Sequence, residues 1–256
     1  SPMRVLVCDN VSPKGVACLE AAPELDVVVV DGGLTDELLA EAEAIIVRSA
    51  TKVTPEVMAK APKLRVVGRA GVGVDNVDVD HATSQGIVVM NTPSGNTIST
   101  AELTFSMMMA LARKIPQAHM SMKGGEWNRK AFAGTELSGK VLGICGMGRI
   151  GAQVARRAIA FGMRVLAYDP FLSLSKAREL QVELLEQGEL FARSDFITVH
   201  MPLTDQTRDM INAESLAGMK DGVYLINCAR GGIINETDLV TAVESGKVAG
   251  AAMDVS

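Results

Sequence analysis

The chain has 256 residues, 48% of them apolar but only 4% aromatic, and a formal net charge of −5. That is length enough for two α/β domains with aliphatic cores of the kind that bury parallel strands on both faces. No basic run or aromatic platform is present, so neither nucleic acid nor an anionic membrane surface is an expected partner. Any anionic ligand has to be held by local arginines or helix N-termini. No apolar stretch reaches about 18 residues, so no membrane span is expected, and the first residues do not read as a signal peptide. Cys8, Cys18, Cys145 and Cys228 are scattered with no CxxC pair, which reads as reduced thiols of a cytoplasmic protein.

The first half alternates apolar runs with helical stretches. Its runs are Arg4–Cys8, Asp26–Val30, Ala44–Val47, Leu64–Val67 and Ile87–Met90, separated by segments such as Thr35–Glu43 and Thr54–Lys60. This alternation predicts a parallel sheet with right-handed crossovers. Pro93-Ser94-Gly95-Asn96 marks the join between halves. Ser99-Thr100-Ala101-Glu102 reads as a capping box. It opens a helix through about Leu111 that is apolar on nearly every side, Met107, Met108 and Met109 included, and so is expected to be buried between layers. The second half repeats the plan, with runs at Val141–Cys145, Arg164–Tyr168, Phe196–Val199, Val223–Asn227 and Gly250–Val255 and helices such as Ile150–Ala160 and Glu236–Glu244. Two α/β domains, 1–96 and 97–256, are expected, with a cleft between them and ligands at the carboxyl ends of strands.

The sharpest local signal is Gly146-Met147-Gly148-Arg149-Ile150-Gly151, which follows a strand and opens a helix. In such a fingerprint Gly146 permits the tight turn, Gly148 lets the backbone approach a pyrophosphate, and Gly151 lets helix and strand pack closely. N–H groups at the helix start then face the phosphates. Asp169 ends the next apolar run at the spacing, about 20 residues, of the carboxylate that binds an adenine ribose. It would repel a 2′-phosphate, so NAD is expected rather than NADP.

With these residues in view, the chain resembles the D-isomer-specific 2-hydroxyacid dehydrogenases over essentially its whole length. The matching segments are 46–54, 67–78 and 90–93, the glycine turn, 196–203, and Asn227-Cys228-Ala229-Arg230-Gly231-Gly232. The resemblance implies a flavodoxin-like substrate domain over 1–96 and a Rossmann NAD-binding domain over 97–256. It also implies hydride transfer between NAD and a D-2-hydroxy acid. Arg230 is placed at the reaction centre, where a guanidinium fork can clamp a carboxylate and stabilise charge on the neighbouring carbonyl oxygen. Gly71, Val72 and Gly73 map to a backbone anion nest for the substrate carboxylate. Arg48 and Arg69 match positions that face a phosphate on the substrate, so 3-phosphoglycerate, oxidised in the first step of serine biosynthesis, is expected ahead of lactate or glycerate. The cofactor is expected to touch Val72, Gly146, Gly148, Arg149, Ile150, Gly151, Asp169, His200, Met201, Cys228, Ala229, Arg230 and Asp254. Positions 72 and 201 often carry Thr in the family, so any side-chain hydrogen bond there is absent.

His200 stands at a strand end, but the family does not use this position as the general acid, and a role near the cofactor is expected. His81 and His119 read as ordinary helical residues. No His/Cys/Asp cluster has metal spacing, so no metal is expected. The family's catalytic histidine, the glutamate that orients it, the last strand of the nucleotide domain and a helix returning to the first domain lie downstream of the matched region. The 256 residues alone are therefore expected to bind NAD and turn over poorly. The family forms dimers through an arm near Ile115–Gly139, which makes Trp127 either an interface anchor or a local core residue. A glyoxylate or hydroxypyruvate reductase and a NAD-binding corepressor-like module are the competing readings.

Overall fold

The computed structural model describes residues 2–256, which divide into two compact units, Ser1–Asn96 and Thr97–Ser256. The first unit runs β1 (Met3–Val7), α1 (Pro13–Glu20), β2 (Leu25–Val29), α2 (Asp36–Glu41), β3 (Ala44–Val47), α3 (Pro55–Ala59), β4 (Val66–Arg69), α4 (Val79–Ser84) and β5 (Val88–Asn91). Its short helices start where a side chain takes up a first-turn donor. Ser12, Thr35, Thr54 and Asp78 accept from the N–H groups of Gly15, Leu38, Val57 and His81. Each such cap contributes about 1 kcal/mol. Pro13 and Pro55 sit at the helix start, where no N–H is needed.

All five strands are parallel, in the flavodoxin-like order β2-β1-β3-β4-β5. The β-branched and leucine side chains of Leu6, Ile45 and Val67 are fully buried against Leu39, Met58 and Ala82 of α2, α3 and α4. The opposite face packs Val5, Val7 and Ala44 against Val16 and Leu19 of α1. Val88 and Met90 at the β5 edge are more than half exposed.

The second unit runs α5 (Thr97–Arg113), α6 (Ile115–Lys123), a 3-10 turn (Lys130–Phe132), β6 (Val141–Cys145), α7 (Arg149–Ala160), β7 (Arg164–Tyr168), α8 (Leu174–Glu179) and β8 (Glu183–Leu184). It continues with α9 (Gln187–Arg193), β9 (Phe196–Val199), α10 (Ala213–Ala217), β10 (Val223–Asn227), α11 (Glu236–Glu244) and β11 (Val248–Met253). The parallel order β11-β10-β9-β6-β7-β8 is that of the Rossmann fold. The two-residue period sorts side chains to two cores. Leu142, Ile144 and Phe196 face Phe105, Met108, Val154 and Ala158 of α5 and α7. Ile197, Val199 and Leu225 face Leu190, Leu216 and Leu239 of α9, α10 and α11.

Three expectations are corrected. α5 begins at Thr97, two residues before the expected cap, so Ser99 lies inside the helix and cannot be its N-cap. The helix is also buried on one face only: Ala101, Phe105, Met108 and Ala112 are covered, while Ile98 and Leu103 are exposed. An apolar count does not reveal which side a neighbour covers. Trp127 is 73% exposed, so it is not a local core residue. The expected strands Ala44–Val47, Val141–Cys145, Arg164–Tyr168, Phe196–Val199 and Val223–Asn227 have the observed bounds, while β4 begins two residues later and β11 two earlier than expected. Among the described residues no helix is long and apolar enough to cross a membrane.

Candidate functional site

In an open parallel sheet the strand ends form a crevice where the order of connection reverses. In the second unit this point lies between β6 and β9. Gly146 follows β6 and turns the chain at φ +97°, in the region that favours glycine. Its N–H donates to the Tyr168 carbonyl at 2.8 Å, and a Cβ there would overlap the carbonyl oxygen of His200, the residue after β9. A Cβ at Gly151 would overlap the carbonyl oxygen of Gly146, so α7 can rise this close to β6 only with glycine there. Gly148 is different, because a Cβ there would meet nothing within 4 Å.

The α7 ladder starts with Ala152 donating to the Gly148 carbonyl at 3.0 Å. The N–H groups of Arg149, Ile150 and Gly151 are thus first-turn donors, which the helix itself leaves without a carbonyl. Asp169 follows β7 with each carboxylate oxygen accepting one backbone N–H at 2.8 Å, Oδ2 from Met147 in the glycine turn and Oδ1 from Phe171. Each oxygen keeps lone-pair capacity for another donor. Open space at Gly148, first-turn amides and a carboxylate one strand away fit the diphosphate and ribose of a dinucleotide.

His200 is neutral at pH 7. Burial pushes its imidazole down to about 4, and Nε2 lies 2.9 Å from Thr198 Oγ1. Its own N–H donates to the Cys145 carbonyl at 2.7 Å, and Met201 follows against the glycine turn.

At the end of β10 the loop carrying Cys228, Ala229 and Arg230 is folded around Asn227, a fully buried polar residue. Asn227 Oδ1 accepts from the Ala229 N–H and Nδ2 donates to the Arg230 carbonyl, both at 2.9 Å. Its own carbonyl accepts from Asp254 N–H at 2.9 Å, which ties the ends of β10 and β11. Arg230 Nη1 donates to the Ala229 carbonyl at 2.8 Å. Cys228 is buried, with Sγ 3.4 Å from Met107 Sδ; burial raises its thiol above the usual range, so it stays protonated.

In the first unit the corresponding point lies between β1 and β3. Asp9 follows β1 at φ 62°. Its carboxylate accepts from Arg48 N–H at 2.8 Å, Thr51 N–H at 3.0 Å and Thr51 Oγ1 at 2.6 Å. Desolvation raises its pKa, but these hydrogen bonds outweigh that and hold the carboxyl below 3.8. Arg48 follows β3 and Arg69 ends β4, with Val47 and Arg69 in register. Arg69 Nη1 donates to the Ala70 carbonyl at 2.9 Å, and its guanidinium lies where a Cβ on Gly71 would be. The 71–73 loop is pinned to β5: Thr92 N–H donates to the Gly71 carbonyl at 2.9 Å and Asn91 Nδ2 to the Val72 carbonyl at 2.7 Å. Gly71 N–H donates to the Arg69 carbonyl at 2.9 Å.

Asp9, Asn76 and Asn227 were not among the expected site residues, although each organises one that was. For Asp9 and Asn227 the only advance signal is a polar side chain at the end of, or just after, an apolar run; Asn76, in the loop after β4, carries none. His81 and His119 lie on α4 and α6, and no group of three metal-ligating side chains occurs among the described residues.

Comparison with known proteins bears on this architecture. Residues 105–256 match the family model "D-isomer specific 2-hydroxyacid dehydrogenase, NAD binding domain". The D-3-phosphoglycerate dehydrogenase of Bacillus subtilis (strain 168) is 51% identical over 252 residues, 98% of this chain and 48% of that protein. The chain thus spans about half the length of the curated relatives it matches. Among solved structures, D-lactate dehydrogenase from Aquifex aeolicus, complexed with NAD and lactic acid, superposes with a TM-score of 0.88 at 34% identity, covering 98% of this chain and 76% of that one. A glyoxylate reductase from Paecilomyes thermophila gives 0.89 at 31% identity, covering 99% and 81%. The chain belongs to the D-isomer specific 2-hydroxyacid dehydrogenase family and contains that family's NAD binding domain.

Proposed function

We propose that the protein carrying this chain is a NAD-dependent dehydrogenase of D-2-hydroxy acids whose substrate is 3-phosphoglycerate, oxidised to 3-phosphohydroxypyruvate. The observation that carries the choice of substrate is the pair Arg48 and Arg69 at neighbouring strand ends, a cationic site larger than a lone carboxylate requires. The names of relatives near 50% identity agree with it.

In this reading the amides of Arg149, Ile150 and Gly151 hold the diphosphate, beside the open space at Gly148. Asp169 accepts from the ribose hydroxyls, and its charge discourages a 2′-phosphate. Met201, Cys228, Ala229 and Asp254 line the remainder, and His200 backs the glycine turn as a neutral ring. Val72 adds a backbone contact. NAD, when bound, supplies the acceptor for the hydride that leaves C2. Arg230 clamps the substrate carboxylate and stabilises negative charge on the C2 oxygen. In the first unit the Val72 and Gly73 amides are the backbone donors for a carboxylate, and Arg48 and Arg69 take the phosphate. A homodimer or higher oligomer is part of the proposal, supported by α6, which buries none of its residues, and by exposed Ile115, Met120, Met122 and Trp127. A cytoplasmic location is supported by four free cysteines. Burial pushes Cys8 up to about 11 and Cys145 up to about 12, so neither is reactive at pH 7.

The test is NADH oxidation by the natural protein with 3-phosphohydroxypyruvate, hydroxypyruvate and glyoxylate side by side. We expect kcat/KM to favour the phosphorylated acid by roughly 100-fold or more, the range of a buried charged contact. Equal values would replace this substrate with a glyoxylate or hydroxypyruvate reductase reading. NADH binding without turnover of any keto acid would favour the corepressor-like module.

A further inference from the structure

Arginine side chains are long and lose considerable freedom when held in one place, so a site built from two of them discriminates well only if the fold holds them beforehand. One residue reaches both, through the backbone that carries Arg48 and through the guanidinium of Arg69. Asn76 Nδ2 donates to the carbonyls of Arg48 and Thr51, both at 2.7 Å, and Asn76 Oδ1 faces Arg69 Nε at 3.4 Å. Asn76 is itself fixed through its backbone: its carbonyl accepts from Val53 N–H at 2.8 Å, within the parallel bridge between Val53 and Val77. On the other side of the same loop, Asp9 takes the N–H groups of Arg48 and Thr51. The Arg48 loop is therefore pinned from both β1 and the segment after β4, and only the pin at Asn76 also reaches Arg69.

We propose that Asn76 is a positioning residue that sets discrimination for the phosphorylated substrate by holding Arg48 and Arg69 as one fixed pair. This rests on the reading that these arginines receive the phosphate. An amide suits the task because it offers two donors and an acceptor at once. Aspartate at this position keeps the acceptor and the size but loses both donors and sets a negative charge beside the anion.

The experiment measures kcat and KM of the natural protein and its variants with 3-phosphohydroxypyruvate and with hydroxypyruvate, together with NADH affinity and melting temperature. For N76A we expect kcat/KM on the phosphorylated acid to fall roughly 10- to 100-fold, the scale set by displacing a binding group by about 1 Å. The fall should lie mainly in KM, with hydroxypyruvate and NADH affinity changed less than about threefold. N76D, which preserves volume should N76A fold poorly, should lose the phosphate preference at least as completely. R48Q and R69Q are the reference. If they abolish the preference while N76A and N76D keep it, the role of Asn76 is overturned and the substrate reading stands. If Asn76 variants lose both substrates equally, the residue is merely structural and the proposal is likewise overturned. If R48Q and R69Q leave the preference intact, the phosphate reading falls and takes this inference with it.

Discussion

The two units place a site at the same topological point, where the order of strands reverses, and build it by opposite means. In the second unit the site is made of backbone. Its defining feature is the absence of side chains at Gly146, Gly148 and Gly151, and neighbouring atoms already occupy the space two of them would need. In the first unit the site is made of side chains, with Asp9 and Asn76 bridging segments far apart in sequence and carrying Arg48 and Arg69. A backbone site is rigid because the fold and the site are the same object. A side-chain site can be retuned one residue at a time without disturbing the sheet. On the proposed reading, that contrast suits a nucleotide in the second unit and the acid in the first.

The strongest way to break the contrast is at Gly151. Replacing it with Val drives a branched side chain into the Gly146 carbonyl and Ile144, and overpacking of this kind typically costs about 1–3 kcal/mol or more. We expect G151V to melt several degrees lower and to lose NADH binding. G148A, whose new methyl meets no protein atom, should melt normally yet bind NADH at least about tenfold more weakly, as a lost close backbone approach implies. Normal NADH affinity in G148A, measured by fluorescence titration, would remove the diphosphate from this turn.

A middle-sized effect is expected at Asn227, where, as at the Asp169 tether, the second unit relies on a side chain to hold backbone. Truncation to Ala leaves the Ala229 N–H and the Arg230 carbonyl without their buried partner, at about 1–3 kcal/mol. N227A should therefore lower the melting temperature, and turnover should fall more than NADH affinity because the loop under Arg230 loosens. If turnover stays normal despite the drop in stability, Asn227 supports the fold and not the arginine.

The smallest effect is a separation in acid. His200 titrates near 6.5 when unfolded and about 4 when folded, so its contribution is complete above 6.5 and disappears as pH falls from there toward 4, on the order of 3 kcal/mol in all. Asp9 has a lowered pKa, so its contribution is present above 3.8 and is lost only at lower pH. Between pH 6.5 and 4 the second unit should lose hydrogen-exchange protection while the first keeps it, and H200Q should flatten that loss. Simultaneous loss in both units would refute the assignment.

The same contrast explains what was legible in advance. The glycine turn shows in the sequence because its requirements are local: a strand, three glycines at fixed spacing, a helix. Parallel sheets follow from the alternating runs, their order only from the family resemblance, and the buried strands of the second unit are closely bounded because they are apolar throughout. The clamp at Asn76 was hidden because its partners at Arg48 and Thr51 lie 28 and 25 residues away, a distance that only the folded sheet closes. Asn227 belongs to a recognisable motif but shows no role in the sequence, since nothing in a strand-ending Asn reveals that it folds back on its own loop. The two-residue β8 is too short to carry a period, and the start of α5 was misplaced because Ser99 offered a better cap by composition than the chain uses.

One detail of the glycine turn bears on any attempt to redesign coenzyme preference. Asp169 tethers the Met147 amide; if, as proposed, it also offers its charge to a ribose, exchanging it for a neutral non-acceptor would slacken the turn while lifting the barrier to a 2′-phosphate. An engineer would do better with Asn or Ser, which keep an acceptor for that amide, and would add a cation nearby. On the proposed reading, the residue that selects the coenzyme is also part of the hinge on which its cradle hangs, so the two properties cannot be evolved independently.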